Sequence, residues 1–143
     1  MSRITPLEFS TATAPHLNTL HAIEAAYGSA TNMKRTLARS PVSLLALLQW
    51  YPLRDEVKAF LGERGITLFC HAVSTGSACL LCCTYFRREL IDAGEDPAHL
   101  VLAEPLAAVV DYGAALATDP HGIDDALWAR LTAAYDDTQL QIS

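Results

Sequence analysis

Three cysteines, Cys79, Cys82 and Cys83, lie within five residues, and their spacing permits thiol redox chemistry. Cys79 and Cys82 are three positions apart, so on a helix they share a face, with Cα atoms roughly 5 Å apart. That separation is within the range of about 4.4–6.8 Å in which a disulfide forms, and Cys83 is only slightly farther from Cys79. Cys79 therefore has two possible disulfide partners.

The position of Cys79 at the start of its helix makes it the better nucleophile. A helix beginning near Ser77 would place Cys79 at the positive end of the helix dipole, where backbone N–H groups are unpaired. Such N–H groups stabilise a thiolate and lower the pKa of the thiol. This argument from the residues assigns the attacking sulfur to Cys79.

The fourth cysteine, Cys70, lies in an apolar run that begins at Ile66, and we expect it to be a buried, inert thiol. A zinc site built from the three clustered cysteines and His71 would lack a second ligand pair at the usual spacing. We therefore expect neither a metal nor a cofactor.

Composition favours an all-α fold in a single domain that spans residues 1–143, with an irregular arm over residues 1–12. The chain has 143 residues, 51% of them hydrophobic, and β-branched runs are few, which favours packed helices. The net charge of −6, with only ten Lys and Arg residues, argues against nucleic acid or membrane as partner. Without a signal peptide or an apolar run of about eighteen residues, we expect a cytoplasmic protein.

Apolar periodicity and the positions of Pro and Gly predict the helices. Ser40-Pro41 is a strong start signal, and Pro52 is expected to kink or end the helix that follows. Gly62 and Gly65 are expected to break the chain. A short helical turn is expected near residues 96–97, and the last helix begins near residue 136 and is cut short at the chain end, leaving apolar surface for another chain. The predicted helices cover about residues 15–27, 32–39, 41–51, 54–61, 66–73, 77–94, 106–116 and 124–135.

Three landmarks together resemble the carboxymuconolactone decarboxylase and alkyl hydroperoxidase D (AhpD-like) superfamily. They are the segment 37–41 (LARSP) before a Leu-rich helix, the central C-x-x-C, and the segment 117–120 (ATDP) before a closing helix. The resemblance covers about residues 31–142. It implies an all-α AhpD-like bundle with the C-x-x-C at the start of a central helix, assembled as a homotrimer or homohexamer.

The resemblance reverses the roles of the two sulfurs. In the peroxidase branch of the family the second cysteine reduces the peroxide and the first resolves it, which would make Cys82 peroxidatic and Cys79 resolving. The family's proton relay of one glutamate and two histidines is missing, because those positions hold Thr67, Leu81 and Phe86. General bases work best with a pKa near neutral, so we expect peroxidase activity to be weak.

Other residues near the cysteines are candidates to replace the relay. His71 precedes Cys79 by eight residues, and Tyr85, Arg87 and Glu89 follow on the cysteine helix. A packing histidine, a packing tyrosine and a solvated charged face are the ordinary interpretations of these residues. The catalytic candidates are therefore Cys79, Cys82, Cys83 and His71.

These observations predict a thiol-dependent oxidoreductase that reduces a peroxide or a partner disulfide through a dithiol/disulfide cycle. Its partners would be a small-molecule peroxide or a thiol/disulfide reductant. One alternative is a structural subunit that has kept the fold without the chemistry. The other is a decarboxylase-type lyase, for which His71, Glu63 and Glu104 would supply acid and base groups.

Overall fold

The computed structural model describes residues 3–141, and this range forms eight α-helices and no strand. The predicted all-α class is confirmed. No helix in this range is long and apolar enough to cross a bilayer, and the expected cytoplasmic location stays a prediction. The helices are α1 (Ala14–Tyr27), α2 (Asn32–Leu37), α3 (Pro41–Leu48), α4 (Trp50–Gly76), α5 (Leu80–Asp92), α6 (Leu106–Thr118), α7 (Asp125–Thr132) and α8 (Asp137–Gln141).

The chain divides into two compact units, one up to Pro52 and the other from Leu53 onward. Helices α1 to α3 lie in the first unit, and α4 begins at its end and continues into the second, which also holds α5 to α8. The single domain expected over residues 1–143 stays a prediction. The first two residues of the expected arm and the last two of the expected final helix lie outside the described residues.

The first unit packs around four buried residues, namely Leu20 and Ile23 of α1, Ala38 at the C-cap of α2, and Leu44 of α3. Residues 3–13 contain no helix. Side-chain and backbone hydrogen bonds hold this segment in place, since Arg39 Nε donates to the Thr5 carbonyl at 2.7 Å. The backbone N–H of Leu7 also donates to the Arg35 carbonyl at 3.2 Å.

A lysine is buried against two tyrosine rings in the first unit. Lys34 is only 6% exposed, and its Nζ lies 4.5 Å from the ring centre of Tyr27 and 5.5 Å from that of Tyr51. The two rings stack on each other with their centres 4.8 Å apart. Cation–π attraction therefore takes the place that a carboxylate usually has beside a buried ammonium group.

The start of α3 is as predicted, whereas the predicted end near Pro52 is wrong. Ser40 is the N-cap, with its hydroxyl accepting from the Ser43 N–H at 3.4 Å, and Pro41 is the first helical residue. However, α3 ends at Leu48 and α4 begins at Trp50. Pro52 lies in the first turn of α4, where its missing N–H costs nothing.

The two glycines expected to break α4 behave differently. Gly62 has φ +71° and ψ 172°, which breaks the helical geometry as predicted. Gly65 is buried and helical, so the predicted break there is wrong. A Cβ at Gly65 would lie 3.2 Å from Leu106 Cδ2, so this glycine is needed where α4 approaches the start of α6.

The second unit packs α4 against α6, α7 and α8. The centre of this core consists of Ala108, Val109, Leu131 and Leu140, with Leu61, Phe69, Tyr112, Leu127 and Tyr135 around it. Gly113 allows α6 to approach α4, since a Cβ there would lie 3.1 Å from the Phe69 carbonyl oxygen. These contacts fix α4, the helix that precedes the cysteines.

Two further boundaries differ from the prediction, and the start of the last helix is as predicted. Residues 96–97 form a turn rather than a helix, because the Asp96 carboxylate accepts from the Ala98 N–H at 2.9 Å. Helix α7 ends at Thr132, three residues early. Helix α8 begins at Asp137 after a reciprocal cap, in which the backbone N–H groups of Asp136 and Gln139 each donate to the other's side chain at 2.9 Å.

Candidate thiol site

A tight connection between α4 and α5 places Cys79 immediately before α5. The N–H of Cys79 donates to the Ser74 carbonyl at 3.0 Å, and the N–H of Ser77 donates to the Val73 carbonyl at 2.9 Å. Ala78 between them has φ +53°, a left-handed conformation that is unfavourable for alanine. Unfavourable backbone conformations of this kind cluster at functional sites.

Cys79 is the N-cap of α5, with extended φ and ψ of −77° and 90°. The sequence predicted a helix start near Ser77 with Cys79 in the first turn, so the true start is three residues later, at Leu80. The expectation that matters for the chemistry is unaffected, because the N-cap also faces the unpaired N–H groups of the first turn. The helix ends at Asp92, close to the predicted end.

The sulfurs of Cys79 and Cys82 lie 2.7 Å apart, and all four cysteines of the chain are free thiols. Hydrogen bonding from Cys82, first through its side chain and then through its backbone N–H, lowers the pKa of the Cys79 thiol, with a smaller contribution from the Leu81 N–H. The hydrogen bond to Cys79 raises the pKa of Cys82, and partial burial adds to this rise. The pKa values of the two thiols are therefore shifted in opposite directions.

The sulfur–sulfur hydrogen bond changes direction when Cys79 ionises. With both thiols protonated, the Cys79 S–H donates to the Cys82 sulfur, and the Cys79 sulfur makes no side-chain capping hydrogen bond with the backbone. A thiolate accepts and never donates, so an ionised Cys79 has to accept from the Cys82 S–H. In that state the remaining proton of the pair is on Cys82.

Cys83 faces a different partner from Cys82. Its sulfur lies 3.5 Å from the Thr75 hydroxyl oxygen on α4, and that hydroxyl donates to the His71 carbonyl at 2.8 Å. Sequence reasoning gave no role to Thr75. Thr75 precedes Cys79 by four residues and Cys83 follows Cys79 by four, but this spacing predicts a contact only once the turn between α4 and α5 is known.

Cys70 lies in the same helix, one turn before the end that carries Thr75. Burial raises the pKa of Cys70, which agrees with the expectation of an inert thiol, although its side chain is only half-buried. A negative charge on Cys70 would raise the pKa of Cys82 further, so the two thiols are electrostatic neighbours. The structure therefore brings all four thiols to one end of the α4–α5 pair.

His71 is half-buried beside Arg87 of α5. Burial and, to a smaller extent, the positive charge of Arg87 lower the pKa of His71 and so favour its neutral imidazole. No hydrogen bond joins this imidazole to a sulfur atom within residues 3–141. The role of His71 as a catalytic group stays a prediction.

The other relay candidates lie outside the sulfur pair. Tyr85 is exposed and packs edge-on against Phe86, with ring centres 5.1 Å apart. Glu89 is exposed on α5 and lines a charged cleft of about 460 Å³, which also includes Arg54, Glu63, Arg64, Thr67 and Glu95. This cleft was not predicted. At one side of it, Arg64 donates to both Glu95 carboxylate oxygens, at 2.7 and 2.9 Å.

The acid and base groups considered for a decarboxylase are engaged separately. Glu63 accepts from Arg54 at 3.3 Å and pairs with Lys58. Glu104 accepts from Arg130 Nε at 2.7 Å. His71 lies elsewhere on α4, so the structure does not assemble these three residues into one hydrogen-bonded group.

No group of three or more His, Cys, Asp or Glu side chains within the described part of the chain is arranged to hold a metal ion. Comparisons of the chain with protein-family models, with curated proteins and with solved structures found no match. The functional assignment therefore depends on the geometry of the thiols.

Proposed function

We propose that this protein is a thiol–disulfide oxidoreductase, similar to the AhpD-like family, that cycles between dithiol and disulfide at Cys79 and Cys82. The observation that carries the proposal is the 2.7 Å separation of their sulfurs at the start of α5. Bond formation to about 2.05 Å requires only a small side-chain movement. The opposite pKa directions of the two thiols supply the asymmetry that such a cycle needs.

Cys79 is the attacking sulfur in this proposal, and Cys82 resolves. A lowered pKa gives Cys79 more thiolate at neutral pH, and the thiolate is the reactive form. Cys82 keeps its proton until Cys79 has been oxidised and can no longer accept the hydrogen bond as a thiolate. This order is opposite to the one that the family resemblance implies.

The cycle balances with two electrons. The Cys79 thiolate attacks the terminal, hydroxyl oxygen of a hydroperoxide, the O–O bond breaks to leave a Cys79 sulfenic acid, and the departing alkoxide takes a proton from water to become an alcohol. The Cys82 sulfur then attacks the Cys79 sulfenic acid and displaces hydroxide, which takes the Cys82 proton to give water. The net reaction is one hydroperoxide and two thiols to one alcohol, one water and one disulfide, which an external dithiol reduces again.

A disulfide is the better substrate for this site. An alkoxide is a strongly basic leaving group and needs an acid to protonate it, whereas the thiolate that leaves a disulfide is stable near neutral pH. The residues at the family's relay positions, Thr67, Leu81 and Phe86, have no group that titrates near neutral pH. We therefore propose fast exchange with dithiols and disulfides and slow peroxide reduction.

We also propose that the protein assembles as a homotrimer or homohexamer, as the resemblance implies. Three large apolar side chains of α5, Leu80, Leu81 and Tyr85, are 82%, 79% and 58% exposed. Their burial against a second copy would remove apolar surface from water next to the sulfur pair. Sedimentation at micromolar concentration tests this, and a stable monomer would contradict it.

The experiment for the redox proposal compares single-cysteine variants in turnover assays with a small aromatic disulfide and with an alkyl hydroperoxide. We expect Cys79→Ser to abolish turnover of both substrates. Cys82→Ser should leave one rapid, stoichiometric release of aromatic thiol and no further turnover, because the mixed disulfide on Cys79 is not resolved. Cys70→Ala is the matched control and should retain the wild-type rate.

Two results would contradict the proposal. Full turnover by Cys79→Ser would show that the attacking sulfur lies elsewhere. Wild-type protein that fails to react with either substrate would favour the structural subunit or the decarboxylase-type lyase.

A further inference from the structure

The third clustered thiol, Cys83, has no role in the two-cysteine cycle. It is four residues after Cys79, and on an ideal helix this spacing places it about 6 Å from Cys79 by Cα position, still within the disulfide range. The spacing alone therefore permits a second disulfide, between Cys79 and Cys83. Two competing disulfides at one site would slow the recycling of the enzyme by a single reductant.

The side chain of Cys83 is held by a hydrogen bond whose direction can be assigned. A threonine hydroxyl has one proton, and that of Thr75 goes to the His71 carbonyl oxygen at 2.8 Å. The contact at 3.5 Å between the Thr75 oxygen and the Cys83 sulfur therefore has the Cys83 S–H as donor. This hydrogen bond directs the Cys83 sulfur toward α4.

Cys82 has the opposite arrangement. Its sulfur lies 2.7 Å from that of Cys79, so the neighbouring cysteine is directed toward the attacking sulfur. We infer that Thr75 is a positioning residue that makes Cys82, rather than Cys83, the resolving cysteine. This inference rests on the proposed function, since it concerns the second step of that cycle.

The orientation of Cys82 and Cys83 decides which of the two sulfurs attacks oxidised Cys79 in the second step of the cycle. When Cys79 is a sulfenic acid or a mixed disulfide, the Cys82 sulfur forms the new S–S bond and water or the substrate thiol leaves. The Cys83 sulfur stays directed toward the Thr75 hydroxyl on α4. Loss of one hydrogen bond changes the ratio of two competing states by a factor of about two to ten, and we expect a change of that size in the ratio of the two disulfides.

The test measures which disulfide forms in wild type, Thr75→Val and Thr75→Ser. Each reduced protein is treated with one equivalent of an aromatic disulfide, free thiols are alkylated, and the disulfide is then reduced and labelled with a second reagent. Fragmentation between positions 82 and 83 reports which of the two carried the disulfide. Thr67→Val is the matched control, because the Thr67 hydroxyl donates in the same way, to the Glu63 carbonyl at 2.9 Å, and Thr67 is outside the segment that holds the three clustered cysteines and Thr75.

We expect wild type, Thr75→Ser and Thr67→Val to form mainly the disulfide between Cys79 and Cys82. In Thr75→Val the share of the disulfide between Cys79 and Cys83 should rise about two- to tenfold. An unchanged share in Thr75→Val, or a mixture already present in wild type, would overturn the role of Thr75 while leaving the redox function intact. Absence of any disulfide in all four proteins would overturn the proposed function and this inference with it.

Discussion

The buried lysine of the first unit gives a stability prediction with a magnitude that follows from distances. The ammonium of Lys34 lies 4.5 Å from the ring centre of Tyr27 and 5.5 Å from that of Tyr51, both inside the range of about 6 Å for cation–π attraction. The nearer ring contributes about 1 kcal/mol and the farther ring about half of that, with an increase because the residue is almost fully buried. The attraction totals about 1.5–2 kcal/mol. The cost of removing the ammonium group from water reduces the net stabilisation below this value.

The perturbation is Lys34→Met, which keeps the length of the side chain and removes the charge. We expect the free energy of unfolding to fall by about 1 kcal/mol, which moves the urea midpoint by roughly 0.5 M for a chain of this size. A double-mutant cycle with Tyr27→Leu should give a coupling energy of about 1 kcal/mol, because the cycle subtracts the separate loss of ring stacking. Lys58→Met, at a partly exposed ion pair with Glu63, is the control and should cost less than about 0.5 kcal/mol.

A coupling energy near zero would contradict this prediction, since the ring contacts would then contribute nothing. A Lys34→Met variant more stable than wild type would also contradict it. That result would mean that the cost of removing the ammonium from water exceeds the attraction of both rings.

Three further predictions concern the second unit. Gly113→Ala should lower the free energy of unfolding by about 1–2 kcal/mol in urea titrations, because the added methyl group would lie 3.1 Å from the Phe69 carbonyl oxygen. This close contact outweighs the better helix propensity of alanine. A more stable variant would contradict the close contact. Asp124→Ala should cost about 1 kcal/mol in the same assay, because the Asp124 carboxylate accepts from the Leu127 N–H at 2.8 Å and caps α7, and an unchanged midpoint would show that the cap contributes nothing. Hydrogen bonding to Arg64 lowers the pKa of Glu95, so the contribution of this carboxylate is present above its unfolded pKa and is lost as pH falls through the folded pKa. Glu95→Gln should accordingly cost about 0.5 kcal/mol at pH 7 after solvent screening and less as pH falls through the folded pKa, and a cost that does not change with pH would contradict the ion pair.

Local signals in the sequence were sufficient to locate most helices. Ser40 and Asp124 accept hydrogen bonds from the first turns that follow them, and such caps depend on only a few neighbouring residues. Gly65 was misinterpreted because a glycine in a helical pattern marks either a break or a close contact. Only the approach of Leu106, forty-one positions later, distinguishes the two.

The candidate site was predictable in part for the same reason. The pairing of Cys79 with Cys82 depends on helical spacing, which the sequence displays directly. The contact between Thr75 and Cys83 depends on how two helices align across a turn that contains Ala78 in a left-handed conformation, and no local pattern announces that turn. The burial of Lys34 likewise requires two tyrosines from separate segments to converge.

The most direct test of the central claim is a redox titration of the thiol count. The protein is equilibrated with mixtures of reduced and oxidised dithiothreitol, quenched with acid, and the free thiols are counted and mapped by mass. We expect a single two-electron transition, with a slope of about 30 mV per tenfold change in the ratio, in which the count falls from four to two and the lost thiols are those of Cys79 and Cys82. Four thiols across the whole range of mixtures, or a transition that does not include Cys79, would contradict it.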